Sequence, residues 1–124
     1  MIDDGAGHLL LVRKAGTAWF MQAGGKIEDG ERPIGALRRE LAEEIGVVLV
    51  EDDARHLGRY TAPAANEPGC IVDADIFHVR TPQNAATTRA EIEEVVWVDR
   101  VAARALPIAP LTRDHILPLF CALR

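Results

Sequence analysis

The chain has 124 residues, of which 48% are hydrophobic and 27% are charged, and this composition predicts one globular domain over residues 1–124. The net charge of −5 and the aromatic content of 5% argue against a nucleic-acid polymer as partner, because such a partner requires a basic surface or stacking aromatics. The sequence contains neither a signal segment nor a membrane-spanning apolar run, so we expect a cytoplasmic protein with no membrane partner.

The first half of the chain predicts two strands and one helix. The apolar run His8–Arg13 predicts a strand, and Trp19–Gln22 predicts its neighbour, with Ala15–Thr17 as the turn between them. A helix is predicted from Pro33 to the residue before Gly46. Proline suits the first helical turn, and glycine suits the position just after the last one.

The second half predicts an irregular series of strands, loops and helices. Strands are predicted at Val47–Val50, His56–Thr61, Ile71–Val79 and Val95–Val98, loops at Ala62–Gly69 and Thr81–Arg89, and helices at Val101–Leu106 and Thr112–Leu123. Pro118 is expected to disturb the last helix. Because the order is not a regular alternation of strand and helix, we expect an α/β fold with a mixed sheet and helices packed on it.

The helix that begins at Pro33 has an apolar stripe and an acidic arc beside it. The stripe consists of Ile34, Leu37, Leu41 and Ile45. The acidic arc is formed by Glu40, Glu43 and Glu44, and each like-charge pair costs roughly 0.2–0.5 kcal/mol on an exposed helix. Two interpretations stay open from the helix alone. The arc is either a solvated face in which neighbouring arginines reduce the charge repulsion, or a site for a cation such as magnesium, which prefers carboxylate and phosphate oxygens.

The sequence around this helix carries a longer motif. From Gly25 to Val47 the chain reads GKIEDGERPIGALRRELAEEIGV. This segment resembles the Nudix box, G-x5-E-x7-R-E-U-x-E-E-x-G-U, where U is aliphatic. The specified positions are filled by Gly25, Glu31, Arg39, Glu40, Leu41, Glu43, Glu44, Gly46 and Val47. Agreement at this many fixed positions does not arise readily by chance, so the chain is identified as similar to the MutT-like Nudix hydrolases.

The resemblance implies a Nudix α/β/α sandwich and assigns roles to the box residues. The implied metal ligands, for Mg²⁺ or Mn²⁺, are the carbonyl of Gly24 and the carboxylates of Glu40, Glu43 and Glu44. Arg39 is implied to hold the carboxylates in place, with Glu31 as its structural partner. Either Glu40 or Glu44 is implied to accept the proton of the attacking water. Many relatives have Leu-Pro-Gly-Gly where this chain has Gln22-Ala23-Gly24-Gly25, but the difference removes no ligand side chain.

The implied reaction is the hydrolysis of the diphosphate bond in a small-molecule nucleotide, a nucleoside diphosphate linked to another moiety. The metal would neutralise the diphosphate oxygens and activate the water. The motif does not specify the nucleotide, and no substrate-binding residue is predicted. Two alternatives stay open: a non-catalytic Nudix domain that binds a nucleotide or a protein partner, and an acidic interaction domain that matches the box by accident.

Family members often supply one more metal-binding glutamate shortly before a Trp-containing strand. The candidates are Glu91, Glu93 and Glu94, upstream of Trp97. Glu93 and Glu94 abut the predicted strand, whereas Glu91 lies next to the polar Thr87–Ala90 stretch and is freer to move. We predict Glu91 as the ligand, with Glu94 second. The alternative is that all three are solvated loop charges.

The first predicted strand begins almost at the start of the chain, where similar domains have another strand before it. Two explanations stay open. Either the start of the chain is truncated, or a partner chain covers the exposed sheet edge in a homodimer, because an unpaired edge invites association.

Overall fold

The computed structural model describes residues 1–123, and that part of the chain contains six strands, one long helix and two short helices. The strands are β1 Ile2–Asp3, β2 Leu9–Lys14, β3 Phe20–Met21, β4 Arg55–Pro63, β5 Ile71–Arg80 and β6 Ile92–Val98. The helices are α1 Pro33–Ile45, α2 Arg100–Arg104 and α3 Leu117–Cys121. A π-helical turn, Thr112–Ile116, leads into α3, and short 3₁₀ turns lie at Glu51–Asp53 and Gln83–Ala85.

The strands form one mixed sheet with the order β3-β2-β1-β5-β4, and β6 pairs with β2. Strand β1 runs parallel to β5, whereas the other pairs are antiparallel. The predicted α/β class with a mixed sheet is therefore confirmed. Strands β4 and β5 form a long hairpin, and both extend beyond the predicted strands.

The sheet has an apolar core on each face. Along β2, Leu9 and Leu11 belong to the cluster that contains residues of α2, α3 and the π-helical turn. Leu10 and Val12 belong to the cluster that contains the apolar stripe of α1. This alternation follows from strand geometry, in which successive side chains point to opposite faces. The result is a sandwich with α1 on one face and the C-terminal helices on the other.

Helix α1 begins and ends at the positions that its proline and glycine predict. Pro33 is its first residue, and Gly46 ends it in the left-handed conformation with φ 69°, so that the Gly46 N–H bonds to the carbonyl of Leu41. Leu41 and Ile45 are fully buried against the sheet. The segment that leads to β6 runs beside this helix end, because the N–H of Thr87 donates to the Ile45 carbonyl at 2.9 Å.

Two expectations were wrong. Val47–Val50 forms no strand. Its burial alternates as in a strand, with Val47 buried and Val48 84% exposed. In the described part of the chain, the segment does not form backbone hydrogen bonds with a neighbouring strand, so it is not part of the sheet. A strand does precede His8, since Ile2–Asp3 pairs with both β2 and β5.

The expected disturbance at Pro118 is present. The helical segment before it takes the wider π form, in which the Leu117 N–H bonds to the carbonyl of Thr112. No helix within residues 1–123 has the length and the apolar character that crossing a membrane demands.

Candidate active site

The acidic arc of α1 faces the loop that follows β3. Glu44 is only 4% exposed, and its Oε1 accepts a hydrogen bond from the backbone N–H of Gly24 at 2.9 Å. The carboxylate of Glu40 lies against Gly25 so closely that a Cβ on this glycine would overlap it. Two carboxylates one helical turn apart therefore converge on one Gly-Gly backbone, and the absence of a side chain at Gly25 permits the approach.

Arg39 connects the loop of the box to its helix by hydrogen bonds. Its Nε and Nη2 donate to the two oxygens of Glu31 at 2.9 and 2.8 Å, which is a bidentate pair. Its Nη1 donates to Oε1 of Glu40 at 2.7 Å, and its Nη2 also reaches the carbonyl of Lys26 at 3.1 Å. One guanidinium thus joins the box loop to the middle of α1 and fixes the position of the Glu40 carboxylate.

The carboxylates of the box occupy different electrostatic environments. Hydrogen bonds from Arg39 lower the pKa of Glu31 to about 2. Burial raises the pKa of Glu44, although the Gly24 N–H bond and the charge of Lys14 oppose the effect. Glu43 is 58% exposed at its side chain, with Oε2 at 3.6 Å from Nη1 of Arg39. The exposure of the box carboxylates therefore ranges from Glu44, which is buried beside the loop, to Glu43, which is solvated.

The three candidate glutamates before Trp97 separate in the structure. Glu91 directly precedes β6, and its Oε1 lies 3.3 Å from Nζ of Lys14. Its charge is close enough to raise the pKa of Glu44. Glu93 and Glu94 lie on β6 and are both held by Arg13, at 3.3 and 2.6 Å. Of the three, Glu91 is thus the carboxylate that the fold brings toward the α1 cluster.

The donor set fits a hard divalent cation. Carboxylate oxygens and the backbone of the Gly24–Gly25 loop are the ligand types that Mg²⁺ and Mn²⁺ prefer. As they stand, no three acidic, histidine or cysteine side chains within residues 1–123 are close enough together to hold a metal ion. The reason lies in their present partners, because Glu40 points to Arg39 and Glu91 to Lys14. A cation would replace Lys14 as the partner of Glu91, while Arg39 would continue to hold Glu40.

The comparison with known families decides the identity of the fold and its box. The NUDIX domain model matches residues 1–120. The chain belongs to the Nudix family. Its enzyme class is that of a Nudix-type pyrophosphohydrolase, as the box predicted. No finding favours a non-catalytic Nudix domain.

Known Nudix proteins resemble the chain over most of its length. The CTP pyrophosphohydrolase of Escherichia coli (strain K12) is 36% identical over 104 residues, which are 82% of this chain and 70% of that protein. The solution structure of the E. coli ORF135 protein matches with a TM-score of 0.68 and 26% identity, over 98% of this chain and 82% of that one. The E. coli dihydroneopterin triphosphate pyrophosphohydrolase shares the fold, with a TM-score of 0.78 at 18% identity, over 96% and 89% of the two chains.

One residue beside the Nudix box was not predicted from the sequence. Lys14 is the last residue of β2, its ammonium contacts Glu91, and its charge lowers the pKa of Glu44 in the box helix. Its position at the end of an apolar strand, just before a turn, was the only available signal. That signal is weak because lysines commonly end exposed strands.

Proposed function

We propose that this Nudix enzyme is a Mg²⁺- or Mn²⁺-dependent hydrolase that cleaves the diphosphate bond of a small nucleotide. The observation that carries the proposal is the convergence of Glu40 and Glu44 on the Gly24–Gly25 backbone. Arg39 holds one of these carboxylates from the side, so the pair is fixed by contacts on both sides of the cluster. A solvated acidic face would need none of these contacts.

The proposed ligands are the carboxylates of Glu40, Glu43, Glu44 and Glu91 and the carbonyl of Gly24. When bound there, the metal would neutralise the diphosphate oxygens and make water a better nucleophile.

The protein groups supply positioning and proton transfer. Arg39 keeps the Glu40 carboxylate beside the loop, and the Gly24 N–H does the same for Glu44. One of these two carboxylates, Glu40 or Glu44, accepts the proton of the attacking water. The water oxygen forms a bond to one phosphorus, and the bridging oxygen leaves with the other phosphate. The products are a nucleoside monophosphate and a phosphate-bearing remainder.

The substrate that we propose to test first is a nucleoside triphosphate, and CTP in particular. The support is the relative at 36% identity, which is named a CTP pyrophosphohydrolase. With a triphosphate, the remainder that leaves is pyrophosphate. ADP-ribose and dinucleoside polyphosphates contain the same diphosphate bond, so the chemistry of the cluster alone does not separate them from CTP.

A turnover screen in which chromatography separates each substrate from its nucleoside monophosphate product tests this proposal across nucleoside triphosphates, oxidised nucleotides, ADP-ribose and dinucleoside polyphosphates. We expect Mg²⁺-dependent turnover that is highest with a nucleoside triphosphate and is abolished by excess chelator. Glu40→Gln and Glu44→Gln, tested separately, identify the proton acceptor as the variant with the greater loss at saturating metal. Turnover that survives complete chelation would refute the metal dependence, and a protein inactive on the whole panel would refute the activity.

The proposal also covers the setting of the enzyme. We propose that residues 1–124 act as one domain in the cytoplasm, where the exposed Cys70 and Cys121 would stay reduced. Homodimerisation stays a prediction, which sedimentation at several protein concentrations tests.

A further inference from the structure

Lys14, the last residue of β2, contacts Glu91, the proposed metal ligand that lies outside α1. Its Nζ is 3.3 Å from Oε1 of Glu91, and this is the only ion pair that Lys14 makes within residues 1–123. The side chains of Lys14 and Glu91 are 35% and 63% exposed, so both can change conformation without disturbing the core. The charge of Lys14 also lowers the pKa of the buried Glu44.

The neighbouring basic residue on β2 is bound very differently. Arg13 donates to Glu94 at 2.9 and 2.6 Å, to Glu93 at 3.3 Å and to the carbonyl of Thr17 at 2.9 Å. Its guanidinium is therefore anchored to β6 and the turn after β2. Lys14, by contrast, combines a single contact with a flexible four-carbon stem, and is the cation beside the cluster that is free to move.

We propose that Lys14 is an internal counter-ion of the Nudix metal site, and that a divalent cation must displace its ammonium from Glu91 before the cluster closes. The inference rests on the proposed function, since it takes Glu91 and Glu44 to be metal ligands. It adds a residue outside the box that competes with the metal rather than binding it.

The physical reason is competition for the same oxygens. An ammonium and a divalent cation both seek the carboxylate of Glu91, and they repel each other when both are close to it. Because Lys14 is partly exposed and Glu91 is largely exposed, the pair is weak, and its loss changes metal affinity modestly. Removal of the ammonium should therefore tighten metal binding by about three- to tenfold, since it removes both the competing contact and the repulsion.

The test measures metal binding directly, without nucleotide. Protein stripped with chelator and then dialysed is titrated with Mn²⁺, and the bound ion is followed by calorimetry and by the loss of the free-Mn²⁺ paramagnetic resonance signal. The variants are Lys14→Met, which removes the charge but keeps the apolar stem, and Lys14→Arg, which keeps the charge. The matched control is Arg100→Met, because it makes the same change in net charge at an exposed position of α2, on the sheet face opposite α1, where the side chain makes no ion pair in the described residues.

We expect Lys14→Met to bind Mn²⁺ about three- to tenfold more tightly than the wild type. Lys14→Arg should stay close to the wild type, and Arg100→Met should show a smaller effect than Lys14→Met. Thermal unfolding of each variant verifies that the fold is intact. An affinity for Mn²⁺ that is unchanged or weaker in Lys14→Met, or tightened equally in Arg100→Met, would overturn the inference. A wild-type protein that binds no Mn²⁺ would overturn the metal dependence itself, and the inference with it.

Discussion

Gly25→Ala tests whether the position of the Glu40 carboxylate matters for turnover. Gly25 does not adopt the left-handed backbone that favours glycine, unlike Gly24 with φ 145°. Alanine at Gly25 therefore introduces no backbone strain. The added Cβ would lie 2.5 Å from Oε1 and 2.8 Å from Oε2 of Glu40, so the clash falls on a side chain of the candidate site.

The size of the effect follows from these distances. Non-bonded heavy atoms separate to about 3.5 Å, so the Glu40 carboxylate must retreat by about 1 Å. The retreat breaks or lengthens its 2.7 Å hydrogen bond from Arg39. A displacement of about 1 Å in a catalytic constellation costs on the order of 10²-fold in rate. We therefore expect kcat to fall about 100-fold, with only a small change in the thermal unfolding midpoint.

The assay is steady-state phosphate release under saturating Mg²⁺, combined with thermal unfolding of the same preparations. The matched control is Gly35→Ala within α1, where an added Cβ meets no atom within 4 Å. The control should keep wild-type kcat and gain about 0.5–1 kcal/mol of stability, because alanine is the better helix former. Wild-type turnover in Gly25→Ala, or a loss of activity that only follows a loss of the fold, would refute the reasoning.

Three other predictions follow from the burial and charge of α1. Glu43→Gln should leave the far-UV circular dichroism spectrum unchanged but lower kcat by orders of magnitude, since an amide is a poor magnesium ligand; wild-type turnover would exclude Glu43 as a ligand. Leu41→Ala should destabilise the protein by about 2–5 kcal/mol in urea unfolding, because Leu41 is fully buried between α1 and the sheet, whereas the exposed Val48→Ala should stay within about 0.5 kcal/mol. Burial raises the pKa of Glu44 above its unfolded value, so its contribution to stability is full below pH 4.5 and is lost as the pH rises through the raised pKa. In chelator, the midpoint of Glu44→Gln relative to wild type should therefore rise between pH 4 and pH 7, and a difference that is constant with pH would contradict the prediction.

The fold was predictable wherever a helix-starting or helix-ending residue, or a long periodic apolar pattern, marks an element in the sequence. Pro33 and Gly46 bound α1 because each has a backbone preference that acts locally. β1 was missed because two residues are too short for any periodic signal. Val47–Val50 has the alternating burial of a strand, but whether a segment becomes a strand depends on a neighbour to bond with, and local sequence does not report that neighbour.

In the candidate site, too, local features were predictable from the sequence and long-range contacts were not. The box residues could be named from the sequence because their spacing along α1 and its loop is local. Lys14 could not, because its partner Glu91 directly precedes β6, and the two meet only after β2 and β6 have paired. The ranking of Glu91 above Glu94 stays a prediction, although the engagement of Glu94 by Arg13 supports it.

The acidic arc of α1 also shows how the fold accommodates charges that repel one another. On the Arg39 side the partners are fixed, since the bidentate pair with Glu31 holds the guanidinium and the guanidinium holds Glu40. On the Lys14 side the partner is a single solvated contact. The arc is therefore held by a fixed partner at Glu40, whereas Glu91, outside the arc, has a partner that can be displaced. A divalent cation that enters from the Lys14 side would replace a weak ion pair and leave the strong one intact, so the site could bind its metal without rearranging the helix that presents it.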